Sequence, residues 1–426
     1  MPDSLDSWLR HLETLHPKTV ELGLERVQAV KAQLGLAPNF PIITVGGTNG
    51  KGSTCAMLES ILHAAGYRTG LYTSPHLLRY NERVRINGGE ADDAELCEAF
   101  AAVEARRGGI PLTYFEFATL AALWLFGRAQ VDVAILEVGL GGRLDAVNAF
   151  DADCAIVTSI DIDHTDYLGD TRETIGYEKA GIFRSAKPAI CGEAHPPTSL
   201  LDHAGQIGAD LRCIGKDFGY DSIEAAQWRY WESTGRRVVL PHPALRGAYQ
   251  LGNASGVLAA LATLKERLPV TTDEIRRGLL EVTLTGRFQI LPGRPQIILD
   301  VAHNPHAAAA LAANLRNLPP TGKTIAVFAM LRDKDSAGVV RHLRGSVDCW
   351  LVAGIDQPRG ASAAELADVL AAAEESSKVQ TFPNVASAFR QACEMAGEDD
   401  RIAAFGSFYT VAEVLGTHPA RTSASS

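Results

Sequence analysis

Residues Ile42–Thr54 read IITVGGTNGKGST. The apolar and β-branched run Ile42-Ile43-Thr44-Val45 leads into Gly46-Gly47-Thr48-Asn49-Gly50-Lys51-Gly52-Ser53-Thr54, and a helical pattern over Ser53 to Ala65 follows at once. In a strand, glycine-rich loop and helix in this order, successive backbone N–H groups can cradle phosphate oxygens. Lys51 is placed to reach the outer phosphates, and the helix N-terminus adds its positive end. The match to G-x-x-x-x-G-K-[ST] is imperfect. Val45 stands where the first glycine belongs, and Gly52 stands where a magnesium-binding hydroxyl belongs. A metal ligand must therefore be supplied from elsewhere in the chain.

Working outward, Pro41 to Gly46, Val131 to Val138 and Cys154 to Ile160 read as buried strands, with helical stretches such as Phe115 to Phe126 between them. Alternation of this kind predicts a mainly parallel sheet covered by helices. The texture changes after about Ile190. Arg212 to Leu240 places Trp228, Tyr230 and Trp231 among polar residues and predicts a small antiparallel excursion; Asn253 to Arg267 is helical again. Gly286-Arg287-Phe288 and Pro292-Gly293-Arg294-Pro295 mark a hinge. A second α/β series follows, with strands expected at Gln296 to Val301, Thr324 to Leu331, Val347 to Ala353 and Arg401 to Phe405. The expected fold is α/β: a P-loop parallel-sheet ATPase domain over 1–292, then a smaller Rossmann-like α/β domain over 293–426. The tail Arg421 to Ser426 is expected to be disordered.

The 426 residues carry a formal net charge of −10, which discourages non-specific contact with nucleic acid or anionic lipid. An anionic substrate must then be held by a local cluster of donors. The seven cysteines, Cys55, Cys97, Cys154, Cys191, Cys213, Cys349 and Cys393, are scattered and form no C-x-x-C pair. They read as free thiols in a reducing compartment. Met1 to His16 lacks the pattern of a signal peptide; Leu5, Trp8, Leu9, Leu12 and Leu15 fall at helical spacing instead. The longest apolar run, Phe117 to Phe126, is far short of the about 20 residues that span a bilayer. A cytoplasmic monomer without nucleic-acid or membrane partners is expected.

Glu137 closes an apolar strand beside Gly139, Gly141 and Gly142, a setting that suits a hard cation. His164 and Asp163 lie just past the strand that starts at Cys154, and by chemistry alone either serves as a ligand. Lys179 reads as an exposed helix lysine, Asn253 as a helix cap, and Phe115 as either a core residue or a platform for a flat ring.

The loop GTNGKGS resembles that of the Mur ligase superfamily, and of its folylpolyglutamate synthase family in particular. The resemblance continues through TSPHLLRYNERVRING (Thr73 to Gly88), TYFEF (Thr113 to Phe117), LEVGLGGRLDAVN (Leu136 to Asn148) and SIDIDHTDYLG (Ser159 to Gly169). It extends over EKAGIFR (Glu178 to Arg184), DVAHNPHA (Asp300 to Ala307), MLRDKD (Met330 to Asp335) and GSFYTV (Gly406 to Val411), nearly the whole chain.

The resemblance implies ATP-dependent ligation of L-glutamate to dihydropteroate and to reduced folates through an acyl phosphate, with ATP and magnesium between the two domains. It assigns magnesium to Ser74, Glu137 and His164 and leaves room for a monovalent cation. It makes Lys179 a carbamylated lysine, a modification that needs a neutral amine. Nucleotide contacts fall on Gly50, Lys51, Gly52, Ser53, Asn253, Arg287 and Asp300, with Arg287 at the γ-phosphate and coupled to domain closure. Pteroate contacts fall on Thr113, Tyr114, Phe115 and Glu116, on Leu144, Asp145 and Ala146, and on Leu22, Gly23 and Leu24. Asp145 is expected to pair with pterin N–H groups. The catalytic set is Lys51, Lys179, His164 and Arg287. By the strand-end rule, His303, Asn304, Ser407 and the Lys334–Asp335 pair are expected as glutamate or closure contacts. The alternatives are a ligase confined to folates, a cell-wall amino-acid ligase of the same superfamily, and a nucleotide switch without ligase chemistry.

Overall fold

The computed structural model describes residues 2–18, 20–224, 227–319, 322–375 and 379–418. The tail Arg421 to Ser426, expected to be disordered, lies outside them. The chain divides into two compact α/β units, Met1–Ala244 with Gln250–Val282, and Leu245–Tyr249 with Thr283–Ser426.

The first unit is built on eight strands: β1 (Ile42–Gly46), β2 (Thr69–Tyr72), β3 (Val84–Ile86), β4 (Gly89–Glu90), β5 (Val133–Glu137), β6 (Cys154–Val157), β7 (Pro188–Cys191) and β8 (Asp210–Cys213). Their order across the sheet is β4-β3-β2-β5-β1-β6-β7-β8. β2, β5, β1, β6, β7 and β8 run parallel, and β3 and β4 add an antiparallel edge. β1 and β5 are buried along their whole length, which is why they read as unbroken apolar runs. β1 lies between β5 and β6, with Val45 beside Glu137 and Gly46 beside Val157. The carboxyl ends of these three strands therefore deliver the phosphate loop, Glu137 and the Thr158–His164 segment to one edge.

The helix Lys51–Ala64 begins at the phosphate loop, two residues earlier than the pattern suggests, and is buried on most sides. The amphipathic helix Leu5–Thr14 turns Leu5, Trp8 and Leu12 into the core. The antiparallel excursion is a sheet of β9 (Phe218–Glu224), β10 (Gln227–Glu232) and β11 (Arg237–Pro241), in which Trp228 and Tyr230 are buried.

The second unit carries β12 (Gln289–Leu291), β13 (Gln296–Leu299), β14 (Thr324–Phe328), β15 (Cys349–Ala353), β16 (Val379–Phe382) and β17 (Arg401–Phe405), ordered β12-β13-β17-β14-β15-β16. All but β12 are parallel. The division between units falls at Val282/Thr283, ahead of the boundary expected at Pro292/Gly293. The reason is β12: Gln289–Leu291 pairs antiparallel with β13, so the stretch before the Pro-Gly turn belongs to the second sheet.

The helix Thr272–Glu281 lies against the helix that follows the phosphate loop. A Cβ at Gly278 would come within 2.5 Å of the Ile61 Cα, and the Ser60 hydroxyl donates to the Gly278 carbonyl at 2.8 Å. Alanine at 278 must push these helices apart, and overpacking of this kind costs about 1–3 kcal/mol. Gly278→Ala is expected to lower the thermal midpoint read by circular dichroism, despite the higher helix propensity of alanine. An unchanged or raised midpoint would show that the contact is not tight.

Candidate active site

The phosphate loop is held from one side by the segment after β6. Thr48 N–H donates to the Ser159 carbonyl at 2.8 Å, and Asn49 N–H donates to the Ser159 hydroxyl at 3.0 Å. The Thr158 hydroxyl donates to the Asn49 carbonyl at 2.6 Å. Gly47 (φ 143°) passes so close that a Cβ would lie 1.9 Å from the Thr158 hydroxyl. Glycine is needed there for both conformation and space. Lys51 Nζ donates to the carbonyls of Gly47 and Thr48 at 3.0 and 3.2 Å, closing the loop around its ammonium. Ser53 is buried and accepts from Gln250 Nε2 at 3.3 Å. Asn253 does not cap a helix. The helix runs Gln250–Thr263, so Asn253 lies within it. Its amide donates to Gln250 Oε1 at 3.1 Å, and a Cβ on Gly50 would meet its Oδ1 at 2.6 Å. The structure thus puts Asn253 against the loop's Gly50.

Glu137 is 5% exposed, and its Oε2 accepts from Ser74 N–H at 3.1 Å. His164 precedes the short helix Thr165–Leu168 and adopts a left-handed conformation (φ 53°). Among the described residues no group of three or more His, Cys, Asp or Glu has metal-holding geometry. The expected set includes only two such side chains, Glu137 and His164, with the Ser74 hydroxyl. Magnesium commonly takes one or two carboxylates and completes its shell with substrate phosphates and water. The donor set beside the phosphate loop fits that habit.

Lys179 is not an exposed helix lysine. It is 3% exposed near the end of the helix Arg172–Ala180. The segment Gly142–Asn148 packs on that helix end: Arg143 N–H donates to the Glu178 carbonyl at 2.8 Å, the Arg143 guanidinium pairs with Glu178 at 2.8 Å, and Asn148 Nδ2 donates to the Gly181 carbonyl at 3.0 Å. Burial, reinforced by the Lys51 charge and opposed by Asp163, pushes the Lys179 ammonium down to about 7. A neutral amine, which carbon dioxide requires, is thus accessible near neutrality. Asp163, read from sequence only as an alternative metal ligand, also acts as the opposing charge.

The three expected pteroate segments come together. Gly23 N–H donates to the Leu144 carbonyl at 3.3 Å. Thr113 caps the helix Tyr114–Arg128 and exchanges hydrogen bonds with Glu116, whose carboxylate also pairs with Arg26 at 3.0 Å. This T-x-x-E capping box was legible in the sequence and signals a structural task for both residues. Phe115 is half-buried, its ring 5.7 Å from that of Tyr72 and against Gly139, where a Cβ would come within 2.8 Å. Tyr114 is half-buried and Ala146 is buried. Asp145 is 3% exposed and accepts from Leu140 N–H at 2.9 Å and Val147 N–H at 3.0 Å. Both its oxygens therefore brace the Gly139–Asn148 turn, a task its sequence setting did not announce.

In the second unit, Asp300 accepts from Phe288 N–H at 2.8 Å and Ala302 N–H at 2.7 Å. Desolvation pushes its carboxyl up to about 6, with Arg287 and these backbone donors opposing. Arg287 lies with its Cζ 5.1 Å from the centre of the Phe408 ring, a cation–π contact. Asn304, Asp335 and Ser407 cap the helices Pro305–Asn317, Ser336–Leu343 and Phe408–Thr417. These follow β13, β14 and β17, three neighbouring strands. His303 Nδ1 lies 2.8 Å from the Val301 carbonyl, and Lys334 N–H donates to the Leu331 carbonyl at 3.2 Å.

The Mur ligase middle domain family matches residues 45–261, and the Mur ligase, glutamate ligase domain family matches 286–408. A dihydrofolate synthase/folylpolyglutamate synthase of Escherichia coli is 49% identical over 420 residues, 98% of this chain and 96% of that relative. The chain belongs to the dihydrofolate synthase/folylpolyglutamate synthase family of Mur ligases. It is an ATP-dependent ligase. Solved structures of the family superpose over nearly the full length. E. coli FolC in complex with DHPP and ADP does so with a TM-score of 0.93 at 48% identity, covering 99% of this chain and 100% of that one. A bifunctional folylpolyglutamate synthase/dihydrofolate synthase with Mn, AMPPNP and L-glutamate bound gives a TM-score of 0.90 at 48% identity, covering 97% and 98%.

The Asp145 brace has a pH signature. Burial pushes its carboxyl up to about 7, against the pull of the Leu140, Val147 and Gly139 N–H groups. The folded state thus holds the proton more tightly than the unfolded chain, where the group titrates near about 3.9. Its contribution to stability is fully present below that value and is lost as pH rises to about 7. Asp145→Asn removes the titration. Urea unfolding of both proteins from pH 4 to 8 should show wild type losing ground to the variant as pH rises. A constant difference would mean that Asp145 does not titrate in this window.

Proposed function

We propose that the enzyme joins the amine of L-glutamate to the carboxylate of dihydropteroate, giving dihydrofolate, and to the γ-carboxylates of reduced folates, with ATP and magnesium. The observation that carries this reading is the strand-end geometry of the first unit. β1 delivers the phosphate loop, β5 delivers Glu137 one strand away, and the Gly142–Asn148 turn packs on the helix end that buries Lys179. The E. coli relative and the structures with DHPP, ADP, AMPPNP, Mn and L-glutamate supply the substrates.

In this reading Gly50, Lys51, Gly52, Ser53 and Asn253 hold the nucleotide, and Arg287 and Asp300 add contacts from the second unit. A divalent cation, with Ser74, Glu137 and His164 as ligands, neutralises charge on the phosphates; a monovalent cation belongs to the same proposal. Lys51 steadies the γ-phosphate while a carboxylate oxygen of the acceptor attacks it. ADP leaves, and the acceptor becomes an acyl phosphate. The glutamate amine then attacks the acyl carbon, a proton is released and inorganic phosphate departs. The protein contributes position and charge rather than a nucleophile of its own. Lys179, as a carbamate, presents anionic oxygens at this centre. Phe115 offers a ring face for the pterin or benzoate, with Leu22, Gly23, Leu24, Thr113, Tyr114, Glu116, Leu144, Asp145 and Ala146 framing it. The net charge of −10 and the free cysteines support a cytoplasmic protein without nucleic-acid partners; a monomer without membrane partners belongs to the same proposal.

Purified protein with ATP, magnesium and glutamate should release phosphate and form an amide with dihydropteroate and with tetrahydrofolate alike. Phosphate release independent of any acceptor would sink the ligase reading. Lys51→Ala should fold normally and lose about 100- to 1000-fold in turnover with either acceptor.

The Lys179 assignment has its own test. Protein equilibrated with 13C-bicarbonate should show a carbamate carbon resonance that Lys179→Ala lacks. The variant should be nearly inactive, and formate or acetate should restore part of its turnover. No carbamate signal in active wild-type enzyme would remove the modification from the account.

A further inference from the structure

Arg83 ends the short 3-10 helix Tyr80–Arg83 in the segment Thr73 to Gly88. Its guanidinium carbon lies 5.6 Å from the centre of the Tyr80 ring and 5.4 Å from that of Tyr114, and those two rings meet edge to face at 6.1 Å. Its Nε–H donates to His76 Nδ1 at 2.8 Å. His76 Nδ1 is thus the acceptor, and the neutral ring carries its proton on Nε2. The pair therefore keeps one positive charge, and it sits on the guanidinium. The adjacent Glu82 carboxylate does not neutralise it: its oxygens are taken by the N–H groups of Leu77, Leu78 and Arg79 at 2.7, 2.8 and 2.9 Å. Among the described residues no carboxylate lies within ion-pair distance of Arg83.

This cation stands beside the expected acceptor site. Tyr114 neighbours Phe115, whose ring packs on Tyr72. The Arg83 carbonyl accepts from Thr73 N–H at 2.9 Å, next to Ser74, whose own N–H donates to Glu137. Arginine held on aromatic faces with its Nε engaged presents its two terminal nitrogens as a fork, the geometry that grips a carboxylate bidentately.

We infer that Arg83 binds a carboxylate of the acceptor that does not react, the α-carboxylate of a folyl substrate, and so distinguishes the two ligations. This rests on the function proposed above. Dihydropteroate has one carboxylate, which is consumed by the chemistry. A folyl acceptor has two; the γ group reacts, and the α group needs a counter-charge that an acidic protein supplies only locally.

The test compares wild type, Arg83→Met and Arg83→Lys with three acceptors: dihydropteroate, tetrahydrofolate and tetrahydrofolate with its α-carboxylate converted to a carboxamide. Arg83→Met should raise KM for tetrahydrofolate about 10- to 100-fold more than KM for dihydropteroate. Wild type should prefer the α-acid to the α-amide by a similar factor, and Arg83→Met should lose that preference. Arg83→Lys, which keeps the charge without the fork, should fall between, and it supplies the comparison if Arg83→Met is not folded by circular dichroism. Equal losses with both natural acceptors and an intact acid-over-amide preference would make Arg83 structural. A rise in KM for glutamate with both acceptors would place it at the amine substrate and overturn the inference. Wild type inactive with both natural acceptors would instead overturn the function on which it rests.

Discussion

The contact between the phosphate loop and the segment after β6 sets the geometry of everything around it. Gly47 can approach Thr158 only because it has no side chain, and Thr48 and Asn49 then spend their N–H groups on Ser159. That anchoring fixes one wall of the loop to β6, while β1 in register with β5 fixes Glu137 beside the other. In a parallel sheet the carboxyl ends emerge side by side, so these loops meet at one edge. Lys51 begins the helix that leaves the loop, so its ammonium is positioned by the same constraint.

A second layer of the account is electrostatic. Two lysines, Lys51 and Lys179, act on each other in a buried setting with Asp163 as the opposing charge. Like charges in such a place are costly, and a protein relieves the cost by neutralising one of them. Loss of the Lys179 proton removes the repulsion, and a carbamate there would turn it into an attraction toward the phosphate-loop lysine. The helix end that carries Lys179 is held by Arg143 and Asn148 from the turn that Asp145 braces. The proposed acceptor segments and the proposed phosphoryl-transfer centre are thus linked through hydrogen bonds.

Much of this was legible in the sequence where a single local rule decides the outcome. The strands β1 and β5 are buried on both faces and announce themselves as apolar runs. Shorter or edge strands do not: β7 has four residues, and β16 is half exposed along Val379–Phe382, so neither leaves a periodic signature. The burial of Lys179 was hidden because its neighbours Glu178 and Tyr177 are those of an ordinary solvated helix; only the packing of Gly142–Asn148 covers it. Asn253 looked like a cap because asparagine is a favoured helix starter, yet the helix starts at Gln250 and carries the asparagine to Gly50. Asp145 was read as a ligand contact and holds backbone N–H groups, a role that depends on the turn conformation; Thr113 was read the same way, although its T-x-x-E spacing already marks a helix cap. Arg83 drew no role from the sequence, because the absence of a carboxylate partner among the described residues is a fact of three dimensions.

The central claim is that an acceptor carboxylate attacks ATP before the glutamate amine attacks the acceptor. Transfer of oxygen reports on that order directly. Dihydropteroate labelled with 18O in its carboxylate should, during ligation with unlabelled ATP and glutamate, pass one labelled oxygen to the inorganic phosphate released, as read by mass spectrometry or by the isotope shift in 31P NMR. Phosphate free of 18O, with the label retained in the amide product and lost to water, would contradict the acyl phosphate route and the account built on it.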